Sequence, residues 1–173
     1  MSVRLSADVS RETLVCTVLL IAKDGGSMDW TYRPSLSTDA GWMAELRAHV
    51  MRPDLERLGR YDDRRVRERF LSSFEPRHTR VIVHHGRDVG LVAVRPEGEA
   101  RWIEHFYLDS TEQGRGIGGQ VLAEILSTTD EHAIHRLNVL QGSPARRLYE
   151  RHGFVVDQED AVDVFMVRRR PVG

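Results

Sequence analysis

A glycine-rich turn joins an apolar run to an amphipathic run, and it constrains the fold more than any other part of the sequence. The turn covers residues 113–119 and follows a strand-like stretch at residues 101–108. Glycines let backbone N–H groups converge without side-chain obstruction, and the start of a helix adds the positive end of its dipole. The pattern therefore predicts a strand, an anion-binding loop and a helix, with a phosphate or pyrophosphate as the ligand.

The letters Gly114-x-Gly116-x-x-Gly119 also fit the dinucleotide-binding pattern, but the surrounding sequence does not support it. A Rossmann unit needs an acidic residue at the end of the next strand, and the strand candidate at residues 136–140 ends without one. A P-loop needs Gly-Lys-Ser/Thr, and a kinase-type loop needs a strand lysine. The only lysine of the chain is Lys23, far upstream, so these two classes are disfavoured as well as the Rossmann unit.

Two sequence blocks together resemble the GCN5-related N-acetyltransferase (GNAT) superfamily. The first, Gln113 to Gly118, is similar to that family's acetyl-CoA loop, Gln-x-x-Gly-x-Gly/Ala. The second, Ser143 to Phe154, is similar to its later block, Asn-x-x-Ala-x-x-Leu-Tyr-Glu-x-x-Gly-Phe, with Ser143 in place of the usual Asn. One helix and one strand are predicted between the blocks, as in the family. The specific resemblance covers residues 102–154.

The resemblance implies an α/β (α+β) GNAT fold, with a mixed central sheet of six to seven strands flanked by four helices. Hydrophobic periodicity and turn residues give the matching order β-α-α-β-β-β-α-β-α-β-β. The helices are expected to begin at Ser37 and Asp62 and to cover residues 116–127 and 144–152. The strands are expected at residues 31–33, 79–84, 89–94, 101–108, 136–140, 154–156 and 162–167, with turns at His85–Asp88 and near Asp157–Val162.

The length of 173 residues suits one domain, which we place at residues 28–173, after an N-terminal extension at residues 1–27. Residues 14–22 form an apolar run that is too short to cross a bilayer, which takes about 20 residues. A buried or edge strand is expected there. The apolar part of a secretory signal and a natural start at Met28 stay open as alternatives.

Composition favours a cytoplasmic protein that binds neither nucleic acid nor membranes. The formal net charge of −1 gives no reason for either kind of partner. The single cysteine, Cys16, excludes an internal disulfide framework and fits a reducing compartment. No metal is expected, because the histidines, including the pair His84-His85, lack metal-ligand spacing with cysteine or carboxylate. The sequence leaves a homodimer open.

By resemblance, the co-substrate is acetyl-CoA and the acceptor is a primary amine of a small molecule or a protein. The main chain of the strand end would pair with the pantetheine arm, and the N–H groups of the loop would hold the pyrophosphate. Arg115 would add positive charge or be an ordinary solvated arginine. Ser143 would support the arm and cap the helix at Pro144. The predicted cofactor-binding residues are Phe106, Tyr107, Leu108, Gln113, Gly114, Arg115, Gly116, Ile117, Gly118, Gly119 and Ser143.

Acetyl transfer to an amine needs a group that takes the amine proton. A second group that donates a proton to the departing thiolate also helps the reaction. Tyr149 matches the tyrosine that many family members place near the CoA sulfur, so the resemblance implies that it is the donor. Alternation along residues 101–108 would place Trp102, Glu104, Phe106 and Leu108 on one face and Ile103, His105 and Tyr107 on the other. Glu104 is therefore the first choice of base, His105 is the competitor, and a water chain is the third alternative.

Two functions follow from these residues. The first is direct transfer of an acetyl group from acetyl-CoA to a primary amine, with Tyr149 as the proton donor. The second is a catalytically idle acyl-CoA-binding sensor or assembly module, since a fold does not guarantee an activity. Tyr149 favours the enzyme, because an idle domain has no need of a donor there. Acceptor selection is expected from the first two helices and the last hairpin.

Overall fold

The computed structural model describes residues 29–128 and 134–169. The predicted extension at residues 1–27, its apolar run and the alternative start at Met28 lie outside the described residues. The elements follow one another in the predicted order. They are β1 Trp30–Pro34, α1 Ala40–Arg57, α2 Asp63–Ser73, β2 Thr79–His84, β3 Arg87–Glu97, β4 Ala100–Leu108, α3 Ile117–Thr128, β5 Ile134–Leu140, α4 Ala145–Arg151, β6 Val155–Glu159 and β7 Asp163–Arg168.

The seven strands form one mixed sheet in the order β1-β2-β3-β4-β5-β7-β6, which confirms the predicted fold class. Helices cover both faces of the sheet. On one face α3 and α4 enclose the larger core, in which Leu122 and Ile125 pack with Leu137. On the other face α1 and α2 bury Met43 and Phe70. No helix in residues 29–128 or 134–169 is long and apolar enough to cross a membrane.

Successive residues of the central strands place their side chains alternately in the two hydrophobic cores. Val81 and Leu91 lie in the core beneath α1 and α2, whereas their neighbours Ile82 and Val92 lie in the core beneath α3. This follows from the period of two of a β-strand, whose side chains point alternately to opposite faces. The central strands are therefore apolar on both faces, which explains their continuous hydrophobic runs.

Two turns are shorter than predicted. The turn between β2 and β3 is the pair His85 (φ 49°) and Gly86 (φ 73°) rather than His85–Asp88, because two positive φ angles make a tight hairpin turn. Asp157–Glu159 belong to β6, so the last hairpin turns at residues 160–162. There the Asp160 carboxylate accepts from the N–H groups of Val162 at 2.7 Å and Asp163 at 2.8 Å, which holds the turn closed.

β4 departs from a regular strand in two ways. It pairs with parallel β5 only through Ala100–Trp102, after which the described ladder between the two strands ends. A register shift against β3 also marks a β-bulge, where His105 takes a positive φ of 48°. The prediction of unbroken alternation along this strand is wrong, because the extra residue of the bulge resets it. Ile103 thus shares the α3 core with Phe106 and Leu108.

Gly90 on β3 lets the end of β4 approach closely. A Cβ at Gly90 would lie 2.5 Å from the Tyr107 carbonyl oxygen and 2.7 Å from Leu108 Cδ2. Since real atoms do not approach so closely, any larger residue must displace the end of β4.

The substitution Gly90→Ala is expected to lower the free energy of unfolding by about 1–3 kcal/mol, the usual cost of overpacking. Gly41→Ala, where a Cβ in α1 would meet nothing within 4 Å, is the control and is expected to stabilise by up to about 1 kcal/mol. Urea unfolding measures both variants. Equal stability of Gly90→Ala and the wild type would contradict the close approach.

Candidate functional site

The loop between β4 and α3 is tied down at its beginning. The Asp109 N–H donates to the Val89 carbonyl at 2.8 Å, and the Asp109 carboxylate accepts from the N–H of Thr111, also at 2.8 Å. Gln113 Nε2 donates to the carbonyl of Leu108 at 2.9 Å. The predicted cofactor residue Gln113 therefore uses its side chain to hold the loop against the end of β4.

The second half of the loop offers its main chain to solvent. Gly114 and Gly116 have φ angles of 76° and 87°, and a Cβ at either residue would meet nothing within 4 Å. The first helical bond of α3 runs from the Gln120 N–H to the Gly116 carbonyl at 3.1 Å. In the described structure, no hydrogen bond uses the N–H groups of residues 114–119. These groups, with the helix dipole behind them, are the ones for which the sequence predicts anion binding.

The remaining residues of the loop motif have packing roles. Ile117 is buried in the α3 core. A Cβ at Gly118 would make ordinary contacts, 3.5 Å from Leu108 Cδ1 and 3.6 Å from Leu148 Cδ2, so the start of α3 lies beside the end of β4 and beside α4. The motif therefore both exposes N–H groups and fixes the position of the helix behind them.

The end of β4 has a free edge on the side that faces β5. Because the ladder between these strands stops at Trp102, no strand-to-strand pairing with β5 uses the main chain of Phe106, Tyr107 and Leu108 in the described residues. β5 itself pairs with β7 as far as Leu140. The two strands therefore part beside the glycine loop, where an extended ligand can pair with the exposed edge.

Ser143 does not cap α4 as predicted. The helix begins at Ala145 with Pro144 at the N-cap position, and no side chain caps it. The N–H of Ser143 donates to the Leu140 carbonyl at 3.0 Å. The N–H of Arg146 donates to the Ser143 carbonyl at 3.2 Å, so a main-chain carbonyl accepts from the start of the helix in place of the predicted hydroxyl cap.

Tyr149 lies on α4 and is only 7% exposed. Its ring packs edge-on against Phe154, with 5.9 Å between ring centroids. Among the described hydrogen bonds none involves its hydroxyl group. Burial raises the pKa of Tyr149, and neighbouring Tyr107 adds to the effect, so the phenol keeps its proton at neutral pH.

Glu104 precedes the bulge on the face opposite Ile103. Its Oε1 atom accepts from Arg95 Nη2 at 3.0 Å and from Arg95 Nε at 3.2 Å. Oε2 takes part in none of the hydrogen bonds described for residues 29–128 and 134–169. One carboxylate oxygen is therefore held by Arg95, and the other has no fixed donor.

His105, the alternative base, is engaged by α2. Its Nε2 lies 3.1 Å from Ser73 Oγ, and its ring packs against Phe70 at 4.9 Å between centroids. Burial, reinforced by the charge of Arg47, lowers the pKa of His105 to about 4. The imidazole is therefore neutral at pH 7, but it is a weak base.

Arg47 on α1 is a residue that sequence reasoning missed. Its Nη1 donates to the Tyr107 hydroxyl at 2.5 Å, and its Nε donates to the Val66 carbonyl at 3.0 Å. The side chain of Tyr107 thus contacts α1, on the opposite face from Phe106. Arg47 resembles the many other arginines of α1 and α2 in the sequence, so no spacing signal distinguishes it.

A family model for the acetyltransferase (GNAT) domain matches residues 75–156, the segment that contains the loop, the open edge of β4 and Tyr149. Over this segment the sequence is similar to the GNAT domain. A search of curated proteins finds no match. No group of three or more potential metal-ligating side chains occurs among the described residues.

Solved structures with the same fold include several acetyltransferases. The PaiA N-acetyltransferase of Thermoplasma acidophilum, solved in complex with coenzyme A, has a TM-score of 0.66 and 16% identity, covering 83% of this chain and 100% of that one. The ribosomal-protein-S18-alanine N-acetyltransferase of Escherichia coli has a TM-score of 0.63 and 15% identity, covering 83% and 96%. An acetyltransferase of Thermus thermophilus has a TM-score of 0.65 and 17% identity, covering 83% and 98%. At these identities the likeness establishes the GNAT fold.

The low pKa of His105 predicts a pH-dependent stability. The pKa of His105 in the folded chain, about 4, lies below the ordinary value of 6.5. Between these two pH values the unfolded chain binds a proton at His105, whereas the folded chain does not. This contribution to stability is complete above pH 6.5 and is lost as the pH falls towards 4. His105→Asn, which tolerates a positive φ, removes the titration. Between pH 7 and 4.5 the wild type should lose about 2 kcal/mol more than this variant in urea unfolding; equal losses would contradict the burial of the imidazole.

Proposed function

We propose that the protein transfers an acetyl group from acetyl-CoA to a primary amine. The observation that carries the proposal is the set of N–H groups at residues 114–119 that no described hydrogen bond uses, directly beside the free edge of β4. The diphosphate of CoA would accept hydrogen bonds from these groups, and its pantetheine arm would pair with the main chain of Phe106–Leu108. The coenzyme A bound to the PaiA enzyme of the same fold supports this choice of ligand.

The proposed chemistry is direct attack. The neutral amine nitrogen attacks the thioester carbonyl carbon, the tetrahedral intermediate collapses with cleavage of the C–S bond, and an amide and CoA result. Tyr149 donates its phenolic proton to the departing sulfur. Two observations support this role: the phenol stays protonated because it is buried, and no described hydrogen bond occupies its hydroxyl. Burial also raises the proton affinity of the thiolate, which favours the transfer.

Glu104 is the proposed acceptor of the amine proton, directly or through water. Its Oε2 atom has no described partner, whereas Arg95 fixes Oε1 and thereby orients the carboxylate. His105 is the weaker candidate, because its pKa is lowered to about 4 and its Nε2 already faces Ser73. A general base of this kind contributes about 10²–10⁴-fold to the rate.

Gly116→Ala is expected to weaken CoA binding at least about tenfold, because a φ of 87° strains an alanine and shifts the N–H groups of the loop. Gly98→Ala is the matched control: Gly98 also has a positive φ of 58° with nothing near its Cβ, but it lies in the turn between β3 and β4. Calorimetry with CoA should find normal affinity in the control. Unchanged affinity in Gly116→Ala would contradict the assignment of the loop.

Tyr149→Phe is expected to lower kcat by about 10²–10⁴-fold, the usual scale of general acid catalysis, with little change in the KM for acetyl-CoA. Tyr32→Phe is the control. Tyr32 is a half-buried tyrosine on β1, and its hydroxyl donates to the Glu124 carboxylate at 3.0 Å. The assay follows acetyl-CoA-dependent thiol release with a panel of primary amines. Normal turnover by Tyr149→Phe would remove its role as donor, and CoA binding without turnover on any amine would favour the idle module.

A further inference from the structure

The loop between β4 and α3 contains a carboxylate that the proposed chemistry does not use. Glu112, one residue before Gln113, is only 2% exposed. Its Oε2 lies 2.9 Å from Nδ1 of His84 at the end of β2, and its Oε1 accepts from Arg87 Nη2 at 3.1 Å at the start of β3. Arg115 Nε lies 3.7 Å from Oε2. A buried carboxylate is stable only with such partners, because removal from water is costly.

These contacts hold the loop immediately before its glycine segment. After Gln113 the chain enters Gly114–Gly116, where Cβ positions at both glycines would meet nothing within 4 Å. Among the described residues, none therefore packs against these two glycines at their Cβ positions. Their position depends on α3 behind them and on Glu112 and Gln113 before them. Gln113 ties the loop to β4, whereas Glu112 ties it to β2 and β3.

The same carboxylate controls the charge beside the loop. A negative charge at Glu112 would oppose an anionic ligand if it stood alone. Arg87 and Arg115 lie within ion-pair distance and offset it. Arg115 faces Glu112 through Nε, and in the described structure its two terminal nitrogens make no hydrogen bond. Glu112 thus keeps a guanidinium at the loop with donors still available for a phosphate.

We propose that Glu112 is a positioning residue for the diphosphate, acting through its buried contact with His84 and through Arg115. The proposal rests on the proposed function of the loop as a CoA site. It predicts that Glu112 sets affinity for the diphosphate part of the ligand and leaves the thiol arm unaffected, because only the loop depends on it.

The test compares CoA with pantetheine, which has the same thiol arm without the diphosphate, by calorimetry or by competition. Glu112→Ala should weaken CoA binding about tenfold, the scale of one lost hydrogen bond to a charged group, and should leave pantetheine binding within about twofold. Glu112→Gln keeps the shape and a hydrogen-bonding partner for His84 but loses the ion pair with Arg115, so it should restore part of the affinity. Glu124→Ala is the control. Glu124 is also a buried carboxylate, but it lies two turns into α3 and accepts a hydrogen bond from Tyr32. It should bind CoA normally.

Circular dichroism establishes that each variant is folded. If Glu112→Ala does not fold, His84→Leu is the second variant, because it removes the same contact from β2, and the same selective loss is expected. Normal CoA affinity in a folded Glu112→Ala or His84→Leu variant would overturn the proposal. An equal loss for pantetheine would also overturn it. Failure of the wild type to bind CoA would instead refute the proposed function.

Discussion

The arrangement of the site depends on the way β4 stops pairing with β5. Parallel strands hold together through evenly spaced main-chain bonds, and here those bonds end after three residues. Beyond that point the chain is held by β3 on one side only, and the bulge at His105 bends the strand in the same region. The free edge of β4 leads directly into the glycine loop, so the position of both depends on this departure from a regular sheet.

Much of this architecture is readable from the sequence because it is encoded locally. The glycine loop, the helix start at Asp62 and the order of elements depend on short-range patterns of turn residues and apolar spacing. The Asp62 side chain does accept from the Arg65 N–H at 2.7 Å, as an N-cap should. The resemblance added Tyr149 and the open strand end, which no periodicity indicates.

The missed features depend on contacts between distant residues. His105 gives no sign of a bulge, since it is not a glycine and the alternation of residues 101–108 reads as regular. Glu112 and His84 are 28 positions apart, and Arg47 and Tyr107 are 60 apart. In both cases the pairing is created by the tertiary packing of distant segments rather than by sequence spacing. The cap predicted at Ser143 is wrong for a local reason, because its main-chain carbonyl, rather than its hydroxyl, accepts from the Arg146 N–H.

Buried carboxylates recur as connections between elements. Asp39 accepts from Arg33 at 2.8 Å and joins the start of α1 to β1, and Glu124 accepts from Tyr32 at 3.0 Å and joins α3 to β1. Glu112 joins the loop to β2 in the same manner. Each group is costly to bury and is stabilised by its partners, so each fixes the relative position of two elements. Only Glu112 does so beside the proposed ligand.

The most direct test of the central claim follows the glycine amides during a CoA titration by NMR of protein labelled with ¹⁵N-glycine. The chain has fourteen glycines, so the spectrum is simple enough to assign by substitution. If residues 114–119 hold the diphosphate, the amides of Gly114, Gly116, Gly118 and Gly119 shift with CoA, whereas those of Gly41 and Gly98 stay in place. A titration that leaves the four loop amides unmoved, or that shifts only glycines elsewhere, would contradict the account.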